Sequence, residues 1–167
     1  MTVLKGIKRN AIRKDLFSFL IPWITIMCLA MAVSVWEFAW VRDPQITLSA
    51  LSITGILLIA IGLTIALVAV FTLRRSYSSS LVIREDHQLI RHGIYRHVRH
   101  PVYSGTSVAL FGMPLCLSSL FGLGIMLLVI PLFLNRMKIE EALLIEEFGA
   151  EYESYRETTK KLIPFVY

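Results

Sequence analysis

The sequence predicts an all-α protein: a multi-span integral membrane helical bundle of about four transmembrane helices, including a tight C-terminal hairpin, followed by a cytoplasmic amphipathic helix. Of the 167 residues, 56% are hydrophobic and only 17% are charged, which is far from the averages of soluble proteins. Nearly uncharged stretches cover residues 16–41, 46–73 and 101–135. Because about 20 apolar residues suffice for a helix to cross ~30 Å of hydrocarbon, we expect residues 1–167 to form a single membrane domain.

Residues 1–73 are predicted to hold two N-terminal spans. Each of the first two apolar stretches suits one crossing, and the short polar segment 42–45 would link them outside the membrane. A cleaved signal peptide is the alternative for the first stretch, because a basic start, an apolar run and Ala30-Met31-Ala32 fit that pattern. The apolar sequence continues to Trp40, which favours a span. The basic residues before it are Lys5, Lys8, Arg9, Arg13 and Lys14.

The third apolar stretch, 101–135, is predicted to be a tight helical hairpin. It is too long for one crossing and rather short for two. Arginines precede it between Arg74 and Arg99, and basic residues resume at Arg136. Because basic flanks stay on the cytoplasmic side, an even number of crossings separates them, and both termini are expected to be cytoplasmic. Small or polar residues mark the turn region: Ser118, Ser119, Gly122 and Gly124.

The predicted cytoplasmic loop 74–100 ends in a cluster of polar side chains. Three of the four histidines lie within LIRHGIYRHVRHPVYSG, residues 89–105. Pro101 predicts a helix start, because proline is tolerated in a first helical turn and keeps His100 out of the α region. The free N–H groups of that turn would face the cytoplasm, where a carboxylate or phosphate could dock beside Arg99 and His100.

The histidines and basic residues of this chain could also serve a metal site, membrane topology or nucleic acid. A metal site is disfavoured, because the spacing of His87, His92, His97 and His100 matches no standard zinc pattern and no cysteine is near. Membrane topology alone explains Arg74, Arg75 and Arg84. Topology and anionic lipid also explain the net charge of +5 better than nucleic acid does. Two cysteines fall inside predicted spans and receive no function: Cys28 and Cys116.

The predicted cytoplasmic segment 136–167 carries a second polar cluster. Arg136 and Glu140 lie one helical turn apart and therefore share a face. An exposed ion pair of this kind contributes only ~0.3 to 0.5 kcal/mol. Glu140 and Glu141 differ from the other glutamates because they lie close to the membrane exit, where partial desolvation strengthens their attraction for a cation. A cationic ligand is therefore a reasonable partner for this pair.

The rest of this segment is predicted to be an interrupted helix. Gly149 is expected to break it, and Tyr152 and Tyr155 follow on one face, where their rings could cover a pocket or lipid headgroups. The apolar end LIPFVY, 162–167, could fold back against the membrane. A solvated helix face accounts for four further glutamates: Glu146, Glu147, Glu151 and Glu153.

Taken together, HGIYRHVRHPVYSG and the later RMKIEEALLIEEFGAEYESY and LIPF resemble the isoprenylcysteine carboxyl methyltransferase family. The resemblance covers about residues 89–165, with the motifs in the same order, spacing and membrane context. The RHPxY element alone is less specific, because related phospholipid methyltransferases and some sterol reductases carry similar stretches. Members of the family are multi-span helical proteins that transfer the methyl group of S-adenosylmethionine to the carboxylate of a C-terminal prenylated cysteine.

The resemblance implies where cofactor and acceptor meet. Arg136 and Glu140 match the family's arginine and glutamate at the catalytic centre. A prenylated cysteine, or a similar lipidic acceptor, would enter from the bilayer, and the N-terminal half, which shows no motif, would help to shape its entrance. The S-adenosylmethionine site would lie near the cytoplasmic surface, at the positions that match the family's cofactor-binding residues: Gly93, Tyr95, Arg99, His100, Pro101, Tyr103 and Glu141.

Two other functions stay open at this point. One is methyl transfer to a phospholipid or another small hydrophobic amine or thiol; for an amine, His100 or Glu140 would have to accept a proton. A carboxylate acceptor needs no general base and requires only alignment and exclusion of water. The other is a non-enzymatic small membrane protein, which would bind no cofactor. A family resemblance does not by itself establish the natural substrate.

Overall fold

The computed structural model describes residues 16–41, 49–73 and 89–163. Within these ranges the secondary structure is helical, and the only β feature is an isolated parallel bridge between Val98 and Lys160. A π-helical turn, Leu16–Leu20, leads into the first helix, and a 3-10 turn, Gly93–Arg96, precedes the third. The helices are α1 (Ile21–Trp40), α2 (Ala50–Leu73), α3 (Pro101–Cys116), α4 (Leu120–Met126), α5 (Val129–Phe148) and α6 (Ala150–Thr158).

Several predicted features lie outside the described residues. They are the basic N-terminal flank, the outward link 42–45, the loop residues Arg74, Arg75, Arg84 and His87, and the terminal residues 164–167.

Among the residues that the structure describes, three helical segments are long and apolar enough to cross a membrane: Phe17–Trp40, Ala50–Leu73 and Leu120–Phe148. The first two coincide with the two predicted N-terminal spans. The helix α3 has 16 residues and is therefore ~24 Å long, shorter than the ~30 Å hydrocarbon layer. The helical secondary structure and the membrane-spanning length of these segments confirm the prediction of a helical membrane protein.

Glycines let α2 and α3 pack with their backbones in contact. A Cβ added to Gly62 would lie 2.5 Å from the backbone oxygen of Gly105, and one added to Gly112 would lie 2.6 Å from that of Gly55. Membrane helices gain little from burying apolar surface against each other, so close packing of small residues is what holds them together. The start of α3, which carries the first polar cluster, is therefore fixed against α2.

The chain reverses direction at 117–119, between α3 and α4. The predicted turn is confirmed at Ser118, whose φ is +54°, and at Ser119, which caps α4. It is wrong for Gly122 and Gly124, which lie inside α4. Gly122 serves close packing instead, because an added Cβ there would collide with the hydroxyl of Ser34 on α1.

Polar contacts tie this turn to both N-terminal helices. Glu37 of α1 is buried, yet it accepts hydrogen bonds from the Ser119 hydroxyl at 2.6 Å and from the backbone N–H of Leu120 at 3.4 Å. A carboxylate at the N-terminus of a helix is favourable because it meets unpaired N–H groups and the positive dipole end. The Ser118 hydroxyl lies 2.7 Å from that of Ser49, which precedes α2.

The last long helix continues past the predicted end of the apolar stretch without a break. The helix α5 runs through Asn135 to Phe148, and Gly149, with φ +52°, interrupts it as predicted before α6 begins. The core beneath the polar residues joins α1, α3, α4 and α5, and its buried members are Ala30, Leu110, Met126, Val129, Phe133 and Met137.

We expect Gly62→Ala to destabilise the protein. The new Cβ would lie 2.5 Å from the Gly105 oxygen, and overpacking typically costs about 1 to 3 kcal/mol. Gly124→Ala is the matched control, because nothing lies within 4 Å of its added Cβ and alanine is the better helix former by up to ~1 kcal/mol. Thermal unfolding in detergent measures both; equal midpoints for the two variants would contradict tight α2–α3 packing.

Candidate functional site

Glu141 on α5 contacts three basic side chains, which form one ionic cluster around it. Its carboxylate accepts hydrogen bonds at 3.1 Å from Arg99 Nε and, where that nitrogen carries the proton, at 3.1 Å from His100 Nε2, and it lies 3.3 Å from Lys161 Nζ. The four side chains are at most 12% exposed, so water screens these contacts much less than it would at a surface. We call Arg99, His100, Glu141 and Lys161 the Glu141 cluster.

Arg136 is the hub of a second group, which lies toward the apolar core. It is 5% exposed, and its Nε donates to the Tyr103 hydroxyl at 2.9 Å and lies 3.4 Å from Glu140. The Tyr103 hydroxyl in turn donates to Glu140. The predicted pairing of Arg136 with Glu140 across one helical turn is confirmed. We call Tyr103, Arg136 and Glu140 the Arg136 centre.

The two clusters are separate because Glu140 and Glu141 are consecutive on a helix, where neighbouring side chains point about 100° apart. His100 connects them. Its Nε2 lies 3.1 Å from Glu141 and its Nδ1 lies 3.8 Å from Glu140. One buried imidazole therefore contacts a carboxylate of each cluster.

The chain after α6 returns as a strap, residues 159–162, along the start of α3. The backbone N–H groups of Arg99 and His100 donate to the oxygens of Lys160 and Lys161 at 2.8 and 3.1 Å. The Ser104 hydroxyl donates to the Leu162 oxygen at 2.6 Å. The strap thus brings Lys161 to Glu141 and closes the polar side of the site.

Two tyrosines of α6 fasten this helix to the loop before α3. The Tyr152 and Tyr155 rings lie 5.9 Å apart, and the Tyr155 hydroxyl donates to the backbone oxygen of Tyr95 at 2.7 Å. Burial raises the pKa of Tyr155 to about 12, so its hydroxyl stays protonated as a donor. Tyr152 is almost fully buried, and its hydroxyl has no hydrogen-bond partner among the described residues.

A cavity of about 510 Å³ lies beside the Glu141 cluster. This volume falls in the range of small-molecule sites. Its lining carries both signs of charge and several hydroxyls, from Arg99, Glu141 and residues 156–161. Within the described ranges, no group of three histidine, cysteine or acidic side chains is arranged to hold a metal ion.

The structure brings most of the predicted site residues together, but not all. Arg99, His100 and Glu141 meet in one cluster and Tyr103, Arg136 and Glu140 in the other, while buried Pro101 begins α3 between them. Gly93 and Tyr95 have other neighbours. Gly93, with φ +62°, faces Thr72 of α2, and the backbone of Tyr95 contacts Tyr155.

Sequence reasoning missed two contributors to the site. Lys161 reaches Glu141 only because the strap folds back. The ring of Phe19, in the π-helical turn before α1, lies 4.0 Å from the guanidinium carbon of Arg136. Neither residue stands at a spacing that would link it to its partner, so no local pattern could have pointed to either.

The fold and the site define an integral membrane helical protein with a buried ionic centre where its last long helix leaves the apolar core. Comparison with known proteins identifies the family. Residues 53–146 match the model of the isoprenylcysteine carboxyl methyltransferase (ICMT) family. Because this match spans more than half of the chain, the protein belongs to that family.

Individual relatives agree with this assignment. Probable protein-S-isoprenylcysteine O-methyltransferase of Oryza sativa subsp. indica is 35% identical over 69% of this chain and 62% of its own length. The Homo sapiens protein-S-isoprenylcysteine O-methyltransferase is 31% identical over 81% of this chain and 50% of its own. A solved structure of the eukaryotic intramembrane Ras methyltransferase ICMT matches with a TM-score of 0.76 and 25% identity, covering 87% of this chain and 53% of that one. The chain thus spans 62% or less of these relatives.

We expect Tyr155→Phe to lower stability at neutral pH and to flatten its alkaline dependence. The change removes the hydrogen bond from the Tyr155 hydroxyl to the Tyr95 oxygen, and a hydrogen bond typically contributes about 0.5 to 1.5 kcal/mol. The pKa of Tyr155 is about 12 in the folded state against the usual 10.0. Its contribution is therefore complete below pH 10 and is lost as the pH rises from 10 toward 12.

Denaturant unfolding in detergent at several pH values from neutral to alkaline measures this effect. The difference between parent and Tyr155→Phe should shrink as the pH rises through that window. A constant difference up to the alkaline end would contradict the raised pKa of Tyr155 in the folded state.

Proposed function

We propose that this protein is an S-adenosylmethionine-dependent membrane methyltransferase that methylates the carboxylate of a prenylated cysteine or a similar lipidic acceptor. The observation that carries the proposal is the buried Arg136, which Glu140 and Tyr103 hold in place. His100 connects this group to Glu141, which lines the charged cavity. Charged residues beside an apolar core are typically paired and functional. Glu140 pairs with Arg136 and fixes the guanidinium, which can then receive an anionic group of the acceptor. The names of the relatives, protein-S-isoprenylcysteine O-methyltransferases, support the same acceptor.

The cavity beside the Glu141 cluster fits S-adenosylmethionine in size and charge. Arg99 and Lys161 could hold its carboxylate and Glu141 its ammonium group, since all three residues line the cavity. When bound, the cofactor supplies a methyl group on a positively charged sulfur. The positions that we propose for cofactor binding are Gly93, Tyr95, Arg99, His100, Pro101, Tyr103 and Glu141.

The protein's own contribution is alignment and exclusion of water. Arg136 holds the acceptor carboxylate, and Glu140 and Tyr103 keep the guanidinium in place through their contacts with Nε. Ordering two reactants can supply up to ~7 to 11 kcal/mol. A carboxylate attacks as it stands, so no side chain has to remove a proton. The product is then a methyl ester, which base hydrolyses, unlike a methylated amine or thioether.

The acceptor would reach the Arg136 centre sideways from the bilayer, and the cofactor would enter from the cytosol. This arrangement requires the site to lie at the cytoplasmic boundary. We therefore propose four crossings with both termini cytoplasmic, α3 being the short crossing that packs along α2. Basic residues on all three inner flanks support this orientation.

We expect Arg136→Ala to impair methyl transfer and His100→Ala to impair cofactor binding. Loss of an oriented contact that acts in the transition state should raise the barrier by ~2 to 4 kcal/mol, with cofactor affinity retained. His100 contacts Glu141 at 3.1 Å, so its loss should loosen the cofactor cluster. Calorimetry with S-adenosylmethionine, alongside methylation of a farnesylated cysteine analogue, separates the two effects.

Neighbouring exposed residues provide matched controls. Lys138→Ala removes a cation two residues from Arg136, and His97→Ala removes an exposed imidazole near His100; both should behave as the parent. Parent-like methylation by Arg136→Ala, or a defect confined to cofactor binding, would exclude the acceptor-holding role. Unchanged affinity in folded His100→Ala would remove His100 from the cofactor site. A parent that binds no cofactor would support the non-enzymatic alternative.

We expect cysteine labelling to report four crossings. Single cysteines at positions 2, 44, 88 and 160 would be placed in a variant lacking Cys28 and Cys116. Only position 44 should react with an impermeant thiol reagent from the outside, because the other three adjoin basic flanks. Labelling of position 88 from the outside would refute the proposed topology.

A further inference from the structure

The first helix contributes an aromatic ring to the Arg136 centre. The guanidinium carbon of Arg136 lies 4.0 Å from the centroid of the Phe19 ring. Phe19 is itself held on two sides. It stacks on Trp23 with centroids 6.4 Å apart and planes within 6°, and it packs against Phe133 at 6.0 Å.

These contacts restrain the guanidinium in two different directions. The negative face of an aromatic ring attracts a cation placed over it, and most strongly where water is excluded. Arg136 is 5% exposed, so this condition is met. The hydrogen bond of Nε to Tyr103, at 2.9 Å, acts at the edge of the group. A planar group held at its edge and covered by a ring has a defined orientation.

The local backbone is consistent with a dedicated role for Phe19. It lies in the π-helical turn Leu16–Leu20, and such turns occur frequently at functional sites. Phe17 in the same turn is 59% exposed, whereas Phe19 is partly buried against the core. The turn thus directs one phenylalanine outward and the other onto Arg136.

We infer that Phe19 is a positioning residue, whose aromatic face holds the guanidinium of Arg136 in the plane that receives the anionic group of the acceptor. The inference rests on the proposed function, because the acceptor is assigned there. It gives the N-terminal helix a part in acceptor recognition. Phe19 acts through Arg136 and does not itself take part in the reaction.

The test replaces the ring by groups of similar bulk. In the full chain in detergent, Phe19→Leu keeps an apolar side chain but removes the aromatic face, and Phe19→Tyr keeps that face. Phenylalanines with one, two or three ring fluorines at position 19 weaken the face stepwise with little change in size. The measurements are kcat and KM for a farnesylated cysteine analogue and the calorimetric affinity for S-adenosylmethionine. Phe17→Leu is the matched control.

We expect Phe19→Leu to lose about 30-fold in kcat/KM for the acceptor, the loss expected for a desolvated cation–π contact, with cofactor affinity unchanged. Phe19→Tyr should retain most activity, and log(kcat/KM) should fall with each added fluorine. A role in packing alone predicts a flat fluorine series, and that result in an active parent would overturn the inference while sparing the proposed function. A parent that methylates no prenylcysteine would overturn both. Phe17→Leu should match the parent.

Discussion

Two consecutive carboxylates in the middle of α5, Glu140 and Glu141, must both keep partners. The arrangement of the other segments follows from this requirement. A buried charge without a partner costs several kcal/mol, typically ~3 to 5 when one member of a pair is removed. Glu140 meets Arg136 and Tyr103, and Glu141 meets groups from the loop before α3 and from the strap. Apart from Arg136, these partners lie outside α5. Two neighbouring side chains on one helix therefore bring together the loop before α3, the start of α3 and the strap.

That arrangement works only if α3 starts at a fixed place. The backbone contact of α2 with α3 through Gly62 and Gly105 sets the depth of α3. At its other end, Glu37 and Ser119 join α1 to the turn. With both ends fixed, His100 reaches a carboxylate of each cluster. The small residues between the apolar helices thus determine the geometry of the charged residues in the two clusters.

The parts of this structure that local chemistry dictates were predictable from the sequence. Pro101 begins α3, and Gly149 separates α5 from α6. The one-turn spacing of Arg136 and Glu140 produces their contact. Each of these depends on backbone rules that act over a few residues.

The parts that depend on distant neighbours were not predictable. Glycine favours turns, which places Gly122 in the predicted turn, but tertiary packing against Ser34 determines its place inside α4. The contacts of Glu37, Lys161 and Phe19 were not predictable for the same reason. Their partners lie on other helices or across a fold-back of the chain, and no periodicity in one sequence encodes such pairs. The family match, residues 53–146, contains Arg99, His100, Arg136, Glu140 and Glu141. The groups that enclose them, Phe19 and Lys161, lie on the two flanks of the matched range, so the matched range alone does not account for how the site is closed.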